Sequence, residues 1–191
     1  MTEGMDRIAI DVGQVLQRTV TSLYSNLVTR PTGRAVRMAI ETRLQDAGER
    51  SISLIDLSEV VILDFSCADE VVARLLERSH ESPTHEAFFV FRGVHEPHRD
   101  QIQTVLERRG LAAVAETRKD VFELLGQRSP AELRAWGLLE QRGLITTDEV
   151  DSLEDADDRA GLVRLVERRL AFRSPHTDRI HALSQLAKHL L

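Results

Sequence analysis

Ile8, Ile10 and Val12 alternate with Ala9, Asp11 and Gly13, the period-two pattern of a half-buried strand. Beyond Arg30-Pro31, Thr32 is a candidate N-cap. Ala35, Val36, Ala39, Ile40 and Leu44 follow at helical spacing as far as Gly48. Ile52–Leu57 and Val60–Leu63 are rich in β-formers and suit strands covered by helices. A helix is predicted over Ser66–Ser79, with Val71, Val72, Leu75 and Leu76 on one stripe. The most apolar five-residue run, Ala87–Phe91, is expected to be a central strand. Pro97 opens a helix carrying Ile102, Val105 and Leu106 and closing at Gly110. Leu111–Ala115 then predicts a strand, and Lys119–Leu125 a last helix before Gly126.

Strands separated by helices imply βαβ units, and hence an α/β or α+β unit over residues 1–127 with a mixed sheet flanked by helices. The texture changes from residue 128. Ser129-Pro130 starts a helix with Leu133, Trp136 and Leu139, stopped by Gly143. Thr146-Thr147-Asp148-Glu149 starts a second, and Ala156–Arg168 forms a third, with Leu162, Val163, Leu165 and Val166 available for a core. Two strand candidates, Leu170–Arg173 and Arg179–Leu183, flank Ser174–Asp178. Three helices followed by a β-hairpin is the order of a winged helix, so residues 128–191 are expected to form a winged-helix-like domain against the first unit.

Composition narrows the class. The 191 residues are 42% apolar and 29% charged, too apolar for a disordered chain, with no run long enough to span a membrane. The first residues lack the basic start and apolar core of a signal peptide, so a cytoplasmic location is expected. One cysteine, Cys67, excludes an internal disulfide and reads as a small buried hydrophobe. The net charge of −6 argues against bulk attraction to nucleic acid.

The stretch Asn26–Ala35, with Asp56-Leu57 and then Asp64-Phe65-Ser66-Cys67-Ala68-Asp69-Glu70, resembles a STAS-like bacterial family of unassigned function over roughly residues 26–126. Ser66, Ala68, Asp69 and Glu70 match that family's helix start, with Cys67 in place of an aromatic residue. The resemblance implies a small mixed sheet and a regulatory, non-catalytic role. Better-known STAS domains are similar to anti-sigma-factor antagonists, switched by phosphorylation of a serine at this helix start and partnered by a histidine-kinase-like ATPase. In those antagonists the serine directly follows the aspartate; here Phe65 stands there and Ser66 comes one residue later.

The candidate docking face or switch is therefore Asp64, Ser66, Asp69 and Glu70. Ser66 also reads as an N-cap, with Asp69 completing a capping box. Arg30, Thr32 and Arg34 around Gly33 form a weaker candidate anion site, which would make the chain a small-ligand receptor. His80, His85, His95 and His98 lack metal-ligand spacing within a predicted helix and read as loop residues. Nucleophile-elbow, zinc-protease and dinucleotide-binding motifs are missing from the sequence, so no catalytic residue and no cofactor is expected. Residues 148–158 hold seven acids and no base, whereas residues 159–173 hold five arginines and one acid. An acidic start to the third helix repels DNA, which tips the C-terminal unit toward protein contact. The alternative is a transcriptional regulator that contacts DNA through Arg164, Arg168, Arg173 and Arg179, doubled by a homodimer.

Overall fold

A computed structural model describes residues 5–12, 14–15 and 26–190. Its central feature is a five-stranded mixed sheet. The strands are β1 (Asp6–Asp11), β3 (Arg50–Asp56), β5 (Glu86–Arg92), β6 (Ala112–Arg118) and β7 (Val121–Gly126), hydrogen-bonded in that order. The first four run parallel, and β7 returns antiparallel to β6. A two-residue ladder, β2 (Asn26–Leu27) with β4 (Ile62–Leu63), lies outside this sheet.

Three crossovers carry helices on one face. These are α1 (Arg30–Leu44), α2 and α3 (Glu96–Arg108). Helix α2 is continuous but not uniform: Phe65–Ala68 is α-helical, Asp69–Arg74 is π-helical and Leu75–Glu81 is α-helical again. Because every strand alternates, one set of side chains (Ile10, Ile55, Phe89, Phe91, Ala113, Leu125) packs under these helices. The complementary set (Ile52, Leu54, Phe88, Val90, Val114, Leu124) faces the other way. Phe88 lies opposite Ile52, and Val90 opposite both Leu54 and Val114, so these six make a continuous apolar surface.

The C-terminal residues cover that surface. They form α4 (Pro130–Arg142), β8 (Leu144–Thr146), α5 (Thr147–Asp151), α6 (Ala156–Glu167), β9 (Ala171–Arg173), β10 (Arg179–Ala182) and α7 (Leu183–Ala187). Strands β8, β10 and β9 make an antiparallel sheet in that order. Capping boxes start α4 (Ser129 with Glu132) and α5 (Thr146 with Glu149). Helix α7 lies against β3 and β5, and the Phe172 ring meets Phe88 edge-on at 5.4 Å. Polar contacts join the same two parts. Arg168 donates to Glu132 (2.7 Å) and to the carbonyls of Gln127 (2.9 Å) and Gly110 (3.3 Å), while Arg169 donates to the Ser79 carbonyl (3.0 Å).

The structure corrects several local expectations. Lys119–Leu125 is not a helix. Asp120 adopts a left-handed backbone (φ 60°), with its N–H held by the Glu116 carboxylate at 2.9 Å, and so turns β6 into β7. The α1 N-cap is Thr29, not Thr32, because the helix begins before the proline rather than after it. Val163, expected in the core, is exposed. Strands β2 and β8 and helix α7 were not anticipated, and the Val60–Leu63 strand contracts to two residues. No helix among the described residues is long and apolar enough to cross a membrane.

Gly161 sets the spacing of α4 and α6. A Cβ there would come within 2.6 Å of the Ala131 carbonyl oxygen and 2.9 Å of the Ala135 methyl. Gly161→Ala must push the helices apart, and we expect it to cost about 1–3 kcal/mol, read as a lowered urea midpoint with unchanged slope.

Candidate functional site

The N-termini of α1 and α2 meet where Gly33 lets the backbones approach closely. A Cβ on Gly33 would lie 2.9 Å from the Cys67 Cα and 3.2 Å from the Glu70 Cβ. Asp64 caps α2, accepting from the Cys67 N–H at 2.8 Å and from the Ser66 hydroxyl at 2.9 Å. The cap is therefore Asp64 and not Ser66: the helix opens one residue earlier than expected, with Phe65 in its first turn against the core. Ser66 stays half-buried, its hydroxyl held by Asp64. The Arg108 guanidinium sits 4.8 Å from the centre of the Phe65 ring. Cys67 is buried and donates to the Thr29 carbonyl at 3.0 Å; burial and the Asp64 charge push its thiol up to about 12, so it stays protonated.

Asp69 and Glu70 do not face solvent beside Ser66. Both are buried at the start of the π-helical stretch, and both meet arginines from other helices. Arg30 donates to Asp69 (2.8 Å) and Glu70 (2.9 Å). Arg37, itself buried, donates to Glu70 (3.2 Å) and to Glu41 (2.6 Å). Arg109 holds Asp69 through two nitrogens (2.6 and 3.0 Å) and also reaches Glu77 (2.9 Å). Arg74 approaches the same pair at 3.4–3.6 Å. Burial opposes the Asp69 charge, but hydrogen bonds from Arg109 and Arg30 outweigh it and hold the carboxyl below its usual range. The pair is thus the anchor of α1, α2 and α3, not an exposed acidic edge.

This arrangement also settles the geometry of the Arg30, Thr32 and Arg34 group. Arg30 points back to the carboxylates, the Thr32 hydroxyl lies 2.8 Å from that of Thr29, and only Arg34 faces solvent without a charged partner among the described residues. The C-terminal arginines divide similarly. Arg168 is spent on Glu132 and two carbonyls, Arg173 lies 3.3 Å from Asp178, and Arg164 and Arg179 are exposed.

The surface near Ser66 is apolar. Val28, Val61 and Ile62 flank the β2–β4 ladder and are 46%, 72% and 47% exposed. Ladder pairing places Leu27 and Leu63 inward, and the Asp64 N–H donates to the Leu27 carbonyl, so this rim is continuous with the start of α2. The alternation here is too short to be read in the sequence. Arg37, Arg74 and Arg109 carry no motif of their own either, although Arg37 sits on the same stripe as Val36 and Ile40.

A cavity of about 600 Å³ opens at the opposite end of the sheet between the C-terminal ends of α1 and α2, lined by Glu41, Leu44, Leu75, Arg78, Ser79 and His85 among others. His85 is occupied internally, with Nδ1 at 2.5 Å from the Gly48 carbonyl and Nε2 at 3.0 Å from the Ser51 hydroxyl. His98 is buried against Val61, and burial pushes its pKa down. Among the described residues, no group of three or more His, Cys, Asp or Glu side chains is placed to hold a metal ion. No protein-family model, curated protein or solved structure matches the chain.

Glu70→Ala leaves the buried Arg37 short of a partner, and we expect a loss of about 3–5 kcal/mol in chemical denaturation. The acid limb follows from Asp69. Its folded pKa lies below the unfolded value, so the unfolded chain binds the proton first as pH falls. That contribution to stability is full above about pH 5 and drains away below about pH 4. Asp69→Asn has no such proton to bind, and its stability–pH profile is expected to be lower and flatter across that window.

Proposed function

We propose that this chain is a non-enzymatic regulatory module that acts by docking onto another protein. The observation that carries this reading is the exposed apolar rim of Val28, Val61 and Ile62 beside the Asp64–Ser66 helix start. Isolated exposed apolar residues are ordinary, but three in and beside one short ladder at the start of a rigidly tied helix form a small anchoring patch. The STAS-like resemblance of residues 26–126 supplies the partner class, a histidine-kinase-like ATPase. Ser66, half-buried and one hydrogen bond away from Asp64, adjoins the contact.

The alternative, a DNA-binding regulator, is favoured by the helix–strand–helix–helix–hairpin order of the C-terminal residues, with α6 in the place of a reading helix. Against it stand the acids at the start of α6 and the internal use of Arg168.

Titration of a purified histidine-kinase-like ATPase with this chain, followed calorimetrically, tests the first reading. Wild-type protein is expected to bind, and the Val61→Glu/Ile62→Glu variant to bind at least about tenfold more weakly while unfolding at the same urea concentration. Equal binding by both forms, or none by either, removes the rim as the docking site for this class. In parallel, labelled generic duplex DNA is expected to show no anisotropy change with the full chain, even at low salt where phosphate contacts are strongest. Salt-sensitive DNA binding would put the regulator reading first.

A further inference from the structure

Two surfaces of this molecule, remote in sequence, carry opposite charge and are unbalanced where they stand. The first runs along the outer seam of α1 and α2. Arg34 is exposed there with no charged partner among the described residues; Arg30 and Arg74, 40% and 43% exposed, pair with Asp69 and Glu70 buried beneath them, and Arg78, 60% exposed, pairs with Glu41, itself 23% exposed. What solvent meets is the guanidinium side of the ion pairs. Between Arg30 and Arg34 lies a shallow pocket of about 300 Å³ floored by Pro31, Ala35 and Met38, and Met38 is 56% exposed. The occupant this surface suits is acidic and also brings an apolar side chain. A nucleic-acid backbone satisfies only the first demand.

The second surface is the arch formed by α5 and the start of α6. Its seven acids lie within residues 148–158. Arg134 reaches Asp158 (3.0 Å) and Asp155 (3.8 Å), and Arg142 reaches Glu149 (3.8 Å). Asp148, Asp151, Glu154 and Asp157 are exposed with no ion-pair partner among the described residues. Acids at 148, 149, 155, 157 and 158 are accounted for by capping and by the helix dipole, but Asp151 ends the short helix α5 and Glu154 lies in the following turn, beyond that need. Ala156, Ala160 and Val163 form an exposed small-to-apolar stripe along α6 next to the arch.

We propose that the arginine seam of one copy of this chain seats the acidic arch of a second copy, with Met38 against the α6 stripe, and that the exchange is reciprocal about a two-fold axis. The partner is argued from charge complementarity: the chain itself carries the acidic, partly apolar surface that the seam fits. Reciprocity closes the assembly at two copies, because each copy uses both surfaces once. The association is electrostatic at the rim and therefore weakens with salt. It leaves the Val28–Val61–Ile62 rim out of the interface, so it does not depend on the docking reading above.

The test is a charge swap read by sedimentation velocity. Wild-type chain is expected at twice the monomer mass in about 0.05 M salt and at the monomer mass in about 0.5 M salt. Arg34→Glu/Met38→Glu reverses the seam at positions outside the buried carboxylate network, and Asp151→Lys/Glu154→Lys reverses the arch. Each variant alone is expected to be monomeric at both salt concentrations. Mixed one to one they are expected to recombine at low salt, since the reversed seam then faces the reversed arch and the two native surfaces face each other. Recombination also shows that both variants are folded. A wild-type monomer at low salt, a dimer that survives either reversal, or variants that fail to recombine on mixing each overturn the proposal. Binding of poly-glutamate by a wild-type chain that stays monomeric overturns it too, by making the occupant a foreign acidic polypeptide.

Discussion

Two adjacent carboxylates buried at one helix start constrain everything around them. Asp69 and Glu70 cannot be buried as charges unless cations follow them, and α1 supplies Arg30 and Arg37, α2 its own Arg74, and α3 Arg109. Neighbouring residues on an ordinary α-helix point in different directions; here the wider π-helical turn from Asp69 to Arg74 coincides with both acids facing the same arginines. Gly33 belongs to this constraint, because any side chain there holds α1 away from Cys67 and Glu70 and lengthens the pairs made by Arg30 and Arg37. The network is expensive to bury and therefore specifies geometry more than it adds stability, locking three crossover helices to one another above the sheet.

The same economy explains which groups are free to act. Guanidinium groups that point inward to Asp69, Glu70 or Glu132 are held there, and the function a sequence assigns to Arg168 passes to its neighbours. Arg34 and Arg164 remain exposed, as do Ile62 of the β2–β4 ladder and Val28 and Val61 beside it. The surface chemistry of this chain is what is left after the interior has been satisfied.

Much of the fold was legible. Ala87–Phe91 reads as a central strand because it is apolar on both alternations, which only a sheet covered on both faces demands, and β5 is the middle strand of five. The mixed sheet with flanking helices follows from the spacing of such runs. Lys119–Leu125 misled because Val121, Leu124 and Leu125 fit a helical stripe as well as an alternation; the choice is made by Asp120 and by the long-range pairing to β6, neither of which lies in the local pattern. The candidate site was half legible. Asp64, Ser66, Asp69 and Glu70 do cluster at one helix start, but whether an acid faces water or arginines depends on Arg30, Arg37 and Arg109, up to 40 residues away along the chain.

The C-terminal residues are seated on Ile52, Leu54, Phe88 and Val90, and Arg168 and Arg169 tie them to Gly110, Gln127 and Ser79. A unit that few contacts tie to its neighbour can be moved from one protein to another. This one is not detachable. A gene fusion that exchanged it for another module would leave four large apolar side chains on a naked sheet face, so any lineage that swapped the tail would first have had to rewrite alternate positions of β3 and β5.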